Sequence, residues 1–176
     1  MKFYPKTTNH TSDFQKGFYL WILKVDKVPP HLILSYQGKY YNLSVYGRFM
    51  SQPLEALLKT IIQKKIQTLI LSLKDFDDLE EKIKDSYHKF EKVEAPYITC
   101  LSPIKELFEK YKYSGAISTI HDLLPLLEKN DVITSSYGIN IKLNENDKSF
   151  ELPFYTINDV YQCIDELNTE KHVTGK

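Results

Sequence analysis

The sequence predicts a single α+β domain, and three observations carry that reading. Two apolar runs flank Gln37-Gly38 in "HLILSYQGKYYNLS", the pattern of a β-hairpin closed by a tight turn. "SQPLEALLKTIIQKK" places Leu54, Leu57, Leu58, Ile61 and Ile62 on one helical stripe. Strand-like and helix-like segments then alternate along 176 residues that are 42% hydrophobic, a length and apolar content that suit one core better than two.

The elements follow in order. "GFYLWILKV", Gly17 to Val25, reads as a buried strand and is far too short to span a bilayer. Pro29-Pro30 interrupts the chain before the hairpin. In the first helix Ser51 is placed to cap and Pro53 falls in the first turn. "IQTLILSL", Ile66 to Leu73, is dense in branched residues and reads as a strand. "KDFDDLEEKIKDSYHKFEKV" sets Phe76, Leu79, Ile83, Tyr87 and Phe90 on one stripe, with acids gathered where a helix N-terminus favours them. "YITCLSPIKELFEKY" is a short extended piece ending near Cys100, followed by a helix that starts around Pro103 with Ser102 as cap. "STIHDLLPLLEKND" predicts a short helix interrupted or kinked at Pro125, and "VITSSYGINIKL" two short strands or an extended arm. The last helix, "TINDVYQCIDELN", carries a Thr156/Asp159 capping box and a stripe of Ile157, Val160, Tyr161, Ile164 and Leu167. The domain spans 1–176, with 1–16 and 169–176 expected as flexible ends.

Composition narrows the function. Lys+Arg and Asp+Glu both total 23, so no global field gathers nucleic acid or an anionic membrane. Lys64 and Lys65 are better read as closing a helix than as a basic patch. No secretion signal or membrane span is evident, which makes the cytoplasm the expected location, and two cysteines suit a reducing compartment. No C-x-x-C or H-E-x-x-H motif supports a metal, and six scattered glycines form no phosphate loop, so no cofactor is expected. The 13 tyrosines suit half-buried strand faces. Oligomeric state is left open.

A two-residue Gln37-Gly38 turn makes facing residues sum to 75, pairing Tyr36 with Lys39, Ile33 with Asn42 and His31 with Ser44. Alternation then sets His31, Ile33, Ser35, Tyr40, Asn42 and Ser44 on one face. The other face, Leu32, Leu34, Tyr36, Tyr41, Leu43 and Val45, is the expected core side. Asn42 becomes the diagonal neighbour of His31, about 7–8 Å away by Cα and within reach of an amide. Of the two thiols, Cys163 reads as a small buried hydrophobe inside the last helix. Cys100 stands at a turn into a helix, where the dipole and free N–H groups lower a thiol's pKa and can bind an oxyanion. His88 and His121 read as surface groups.

A histidine heading one strand, a polar residue on the next and a cysteine 69 residues downstream at a helix entrance resemble the circularly permuted papain-like superfamily. This is the NlpC-type group that includes the lecithin retinol acyltransferase-like enzymes. The likeness rests on "HLILSYQGKYYN", "YITCLSPIKELFEKY" and "TIHDLLPLL", and runs from about Gly17 to Leu127. The resemblance implies an antiparallel sheet or half-barrel packed against helices. It also implies a cysteine hydrolase or acyltransferase, with Cys100 as nucleophile, His31 as base and Asn42 as third member. Ser44 and Tyr40 would meet a small peptide, amide or acyl substrate. The alternative is a non-enzymatic interaction domain on the same scaffold, which would use its tyrosine-rich surface. A single-strand nucleic-acid binder is disfavoured by the absence of a basic stripe.

Overall fold

The structure, a computed structural model, describes residues 1–8, 11–109, 111 and 116–174. Its centre is a seven-stranded, mostly antiparallel sheet. In spatial order the strands are β2 (Lys6–Thr7), β8 (Ile133–Ile139), β7 (Thr68–Leu73), β3 (Phe18–Leu23), β4 (His31–Tyr36), β5 (Lys39–Ser44) and β6 (Gly47–Pro53). Only β2 and β8 run parallel. A separate pair joins β1 (Lys2–Phe3) to β9 (Phe150–Glu151). Five helices complete the fold: α1 (Leu54–Gln63), α2 (Leu79–His88), α3 (Ser102–Phe108), α4 (Ile120–Lys129) and α5 (Ile157–Thr174).

Every residue of β3 is buried, because both faces of the sheet are covered. On one face α1 lays Leu54, Leu57, Leu58 and Ile61 against Tyr19, Trp21, Ile33 and Ile70. On the other, Leu20, Leu32, Leu34, Tyr41 and Leu43 pack with residues of α2 to α5. The hairpin has the expected register, Ile33 facing Asn42 and Tyr36 facing Lys39. Gln37 and Gly38 both take positive φ, as a two-residue turn of matching twist requires. The polar-looking side of the hairpin is nevertheless a second core face: Ile33 and Ser35 are buried, and the Ser35 hydroxyl accepts the Trp21 indole N–H at 2.8 Å.

Other expectations are corrected. Ser51 caps nothing: it belongs to β6, a strand hidden by polar alternation, and its hydroxyl meets Tyr41 Oη at 3.4 Å, while Pro53 holds the cap position of α1. The strand begins at Gly47, whose φ of 128° lets the chain fold back tightly onto β5. The 133–139 segment is one strand rather than two. Pro125 sits inside a continuous α4, which a Thr119/Asp122 capping box initiates. The first sixteen residues hold two strands and a 3-10 turn, Thr11–Phe14, that buries Phe14, and α5 continues to Thr174. Residues 9, 10, 175 and 176 of the expected flexible ends lie outside the described residues, as do 110 and 112–115 beyond α3. Among the described residues no helix is long and apolar enough to cross a membrane.

Candidate active site

His31 is the first residue of β4, at a corner where the sheet opens. Pairing with β3 extends to Leu23–His31, but pairing with β5 stops at Ile33–Asn42. The released corner lets the imidazole reach diagonally, and His31 Nε2 meets Asn42 Oδ1 at 2.7 Å. An amide oxygen only accepts, so Nε2 carries the proton and donates, which leaves the Nδ1 lone pair for other work. Burial lowers the His31 pKa, the Lys24 charge lowers it further, and the Asn42 bond opposes both. The ring is therefore neutral at pH 7.

Cys100 occupies a tight turn ahead of α3. The Thr99 N–H donates to Ser102 Oγ at 2.9 Å, the Leu101 N–H to Thr99 Oγ1 at 3.2 Å and the Ser102 N–H to the Thr99 carbonyl at 3.0 Å. Ser102 thus accepts from the turn, while the N-cap position belongs to Leu101, a correction to the expected cap. The expected lowering of the thiol's pKa is corrected too. Burial pushes Cys100 up to about 11, against the backbone N–H groups of Leu32 and of Cys100 itself, which favour the thiolate. A seven-residue helix starting two residues later is too short and too distant to reverse that cost.

A cavity of about 240 Å³ lies at the open corner, bounded by β4, β5, the 99–101 turn and α5. His31, Cys100 and Ser44 all contribute to its wall. No hydrogen bond joins His31 to Cys100. Strand alternation explains the gap: His31 shares its side of β4 with Ile33 and the α1 layer, whereas Cys100 packs against the opposite layer, beside Leu32. Only the corner gives them a common space. Asn42 stands behind His31, outside the lining, as an orienting group.

Two site residues serve differently from expectation. The Ser44 hydroxyl donates to the Gly47 carbonyl at 3.3 Å and accepts the Tyr46 N–H at 3.2 Å, so it is spent on the β5–β6 turn. Tyr40 packs against the α1-side cluster and does not line the cavity, because it lies two residues nearer the hairpin turn.

Sequence reading missed Lys24, Tyr155 and the cavity role of Cys163, all of which line the wall. The helical stripe of α5 marked Val160, Ile164 and Leu167 as inward-facing but could not show that they enclose a space. His88 is exposed, and His121 is tied to the Pro153 carbonyl at 3.0 Å, both outside the cavity lining. Among the described residues no group of three His, Cys, Asp or Glu side chains is placed to hold a metal ion. No protein-family model matches the chain, and no curated protein or solved structure matches it.

Proposed function

We propose that the protein is a cysteine-dependent hydrolase or acyltransferase acting on an amide, ester or thioester carbonyl, with Cys100 as nucleophile, His31 as base and Asn42 as the residue that orients the base. The observation that carries this reading is the 2.7 Å His31–Asn42 bond at the edge of a cavity that also exposes Cys100. It fixes the tautomer that leaves Nδ1 basic, which a purely structural histidine does not need.

The resting pair is neutral. A thiol near pH 11 is about four units above neutrality, leaving roughly one in ten thousand ionised at pH 7. Attack therefore requires general-base help. As the Sγ–acyl bond forms, the thiol proton passes to His31 Nδ1, and the same proton goes to the departing amine, alcohol or thiol as its bond to the carbonyl breaks. The Cys100 and Leu32 N–H groups would hold the oxyanion. Water, or a second acceptor, then gives its proton to Nδ1 as it bonds to the acyl carbon, and that proton returns to Cys100 Sγ as the Sγ–acyl bond breaks. The carbonyl would bind beside the pair, since the transfer needs Sγ and Nδ1 within hydrogen-bond reach of each other.

The test is acetylation by 4-nitrophenyl acetate at pH 7, located by peptide mass mapping. Expected are an acetyl adduct on Cys100, its loss in His31→Ala and its persistence in Cys163→Ala. A Cys100 that stays unmodified, or reacts equally without His31, overturns the proposal and favours an interaction domain, for which the exposed Tyr46, Tyr97 and Phe154 are the obvious contacts.

A further inference from the structure

We propose that Cys100 and Cys163, the two thiols on the cavity wall, form a reversible disulfide when the protein meets a peroxide, and that this bond ties α5 to the 99–101 turn and blocks Cys100. The loss of activity rests on the acyl-transfer reading, but the disulfide itself does not.

Placement comes first. Cys163 follows Val160 by three residues on α5 and precedes Leu167 by four, so all three share the helical stripe that lines the cavity. Cys100 lines the same cavity from the turn between Thr99 and Leu101. Both cysteines are free, and the sequence has no third. A charge on Cys163 raises the pKa of Cys100, as expected of two thiols that share one poorly solvated space.

The order of reaction comes next. Burial holds Cys100 up at about 11, whereas Cys163 is raised by burial, Glu166 and Glu170 and drawn back by Lys24 at the cavity edge. Cys163 is thus the thiol that meets the oxidant first. Its sulfur attacks one peroxide oxygen as the O–O bond breaks, its proton leaves with the other oxygen as water, and Cys163 becomes a sulfenic acid. Cys100 Sγ then attacks that sulfur. The S–O bond breaks and the hydroxyl departs with the Cys100 proton as a second water, so the two thiols lose the electron pair that the peroxide gains. An external dithiol reverses the bond by exchange, returning both protein thiols and leaving as a disulfide itself. The closed loop contains α3, α4, β8 and β9, so the bond also constrains the unfolded chain.

The experiment treats the full-length protein with hydrogen peroxide at pH 8, blocks the remaining thiols in denaturant and maps its tryptic peptides without reduction. Expected is one intramolecular cross-link between the Cys100 and Cys163 peptides, reversed by dithiothreitol, with a urea midpoint above that of the reduced protein. In Cys100→Ser, dimedone should label Cys163 as the sulfenic acid. The double variant Cys163→Ser, Gln162→Cys moves the thiol to an exposed neighbouring position of α5 and should form no cross-link. Dimers or sulfinic acid in place of the internal bond, a Cys163 that dimedone leaves unlabelled, a cross-link that forms as fast in urea, or one that survives the move to position 162 overturns the proposal. The comparison with urea needs no variant. Acetylation separates the two readings: a cross-link in a protein whose reduced Cys100 resists acetylation upholds the disulfide and removes the chemistry, whereas an acetylated Cys100 with no cross-link removes the disulfide and keeps the chemistry. Where both hold, peroxide should abolish acetylation of Cys100 and dithiothreitol should restore it.

Discussion

The two faces of the sheet are built from the same residue types and end in opposite states. On the α1 face, Trp21, Phe14, Tyr19 and Tyr137 form edge-to-face ring contacts at 5.2 to 6.5 Å, and the one buried indole N–H finds Ser35. On the α5 face the layer stops short of the sheet corner, leaving the cavity whose wall His31 and Cys100 both line. A dry, saturated face can brace the strands while the hollow one remains available to a ligand. The difference lies in how far each helix layer reaches, not in composition.

The sharpest way to break this comparison is to make one substitution on both faces. Ile61→Ala on α1 removes a fully buried side chain from saturated packing, and should cost toward the upper end of the about 2–5 kcal/mol typical of such truncations. Ile164→Ala on α5 enlarges a space that already exists, loses fewer contacts, and should fall at the lower end. Urea unfolding of the two variants measures both. Equal costs would mean that the α5 face is as tightly packed as the other.

Next in size is an alkaline effect on the hollow face. The folded-state pKa of Cys100 is raised to about 11, so the folded protein keeps a proton that the unfolded chain gives up near pH 9. That contribution is complete below about pH 9 and is lost as pH rises toward 11, by at most about 3 kcal/mol for two units. Cys100→Ala should flatten this part of the stability profile. A wild-type profile identical to that of Cys100→Ala would place the thiol in water.

What was legible in the sequence follows the range of the forces involved. The hairpin register was readable because a two-residue turn and period-2 alternation are local, and they predicted the His31–Asn42 diagonal that the structure contains. The α5 capping box was readable for the same reason: Thr156 and Asp159 are three residues apart and bond at 2.8 Å. β6 was not readable, because Phe49 and Met50 sit among polar residues and the strand is specified by its partner β5. The raised pKa of Cys100 was also out of reach. The turn suggested a lowered value, and only the covering by distant segments shows that desolvation wins. The cavity, finally, is a place where packing fails to close, and no periodicity encodes that.

A smaller effect tests the saturation of the α1 face. Ser35→Ala leaves the Trp21 indole N–H buried without an acceptor, at a cost of about 1–3 kcal/mol. Since Ser35 lies on β4 four residues from His31, the acetylation of Cys100 should be unchanged at temperatures where the variant is folded. Reduced acetylation in a folded Ser35→Ala would show that the two faces are coupled through β4.

The smallest effect bears on the corner where the faces meet. Asn42→Ala removes one hydrogen bond, and a net worth of about 0.5–1.5 kcal/mol corresponds to roughly a tenfold or smaller loss in the acetylation rate at neutral pH. The sign of its pH effect is more diagnostic than its size. The Asn42 bond raises the His31 pKa against burial and Lys24, so removing it must lower that pKa further. Because Nδ1 acts only when the ring is neutral, the acid limb of the rate profile should move to lower pH in Asn42→Ala even as the plateau drops. The wild-type limb itself should lie below the ordinary histidine value of about 6.5. A limb that moves upward would mean that Asn42 does not hold the protonated nitrogen, and that the imidazole presents its other edge to the cavity.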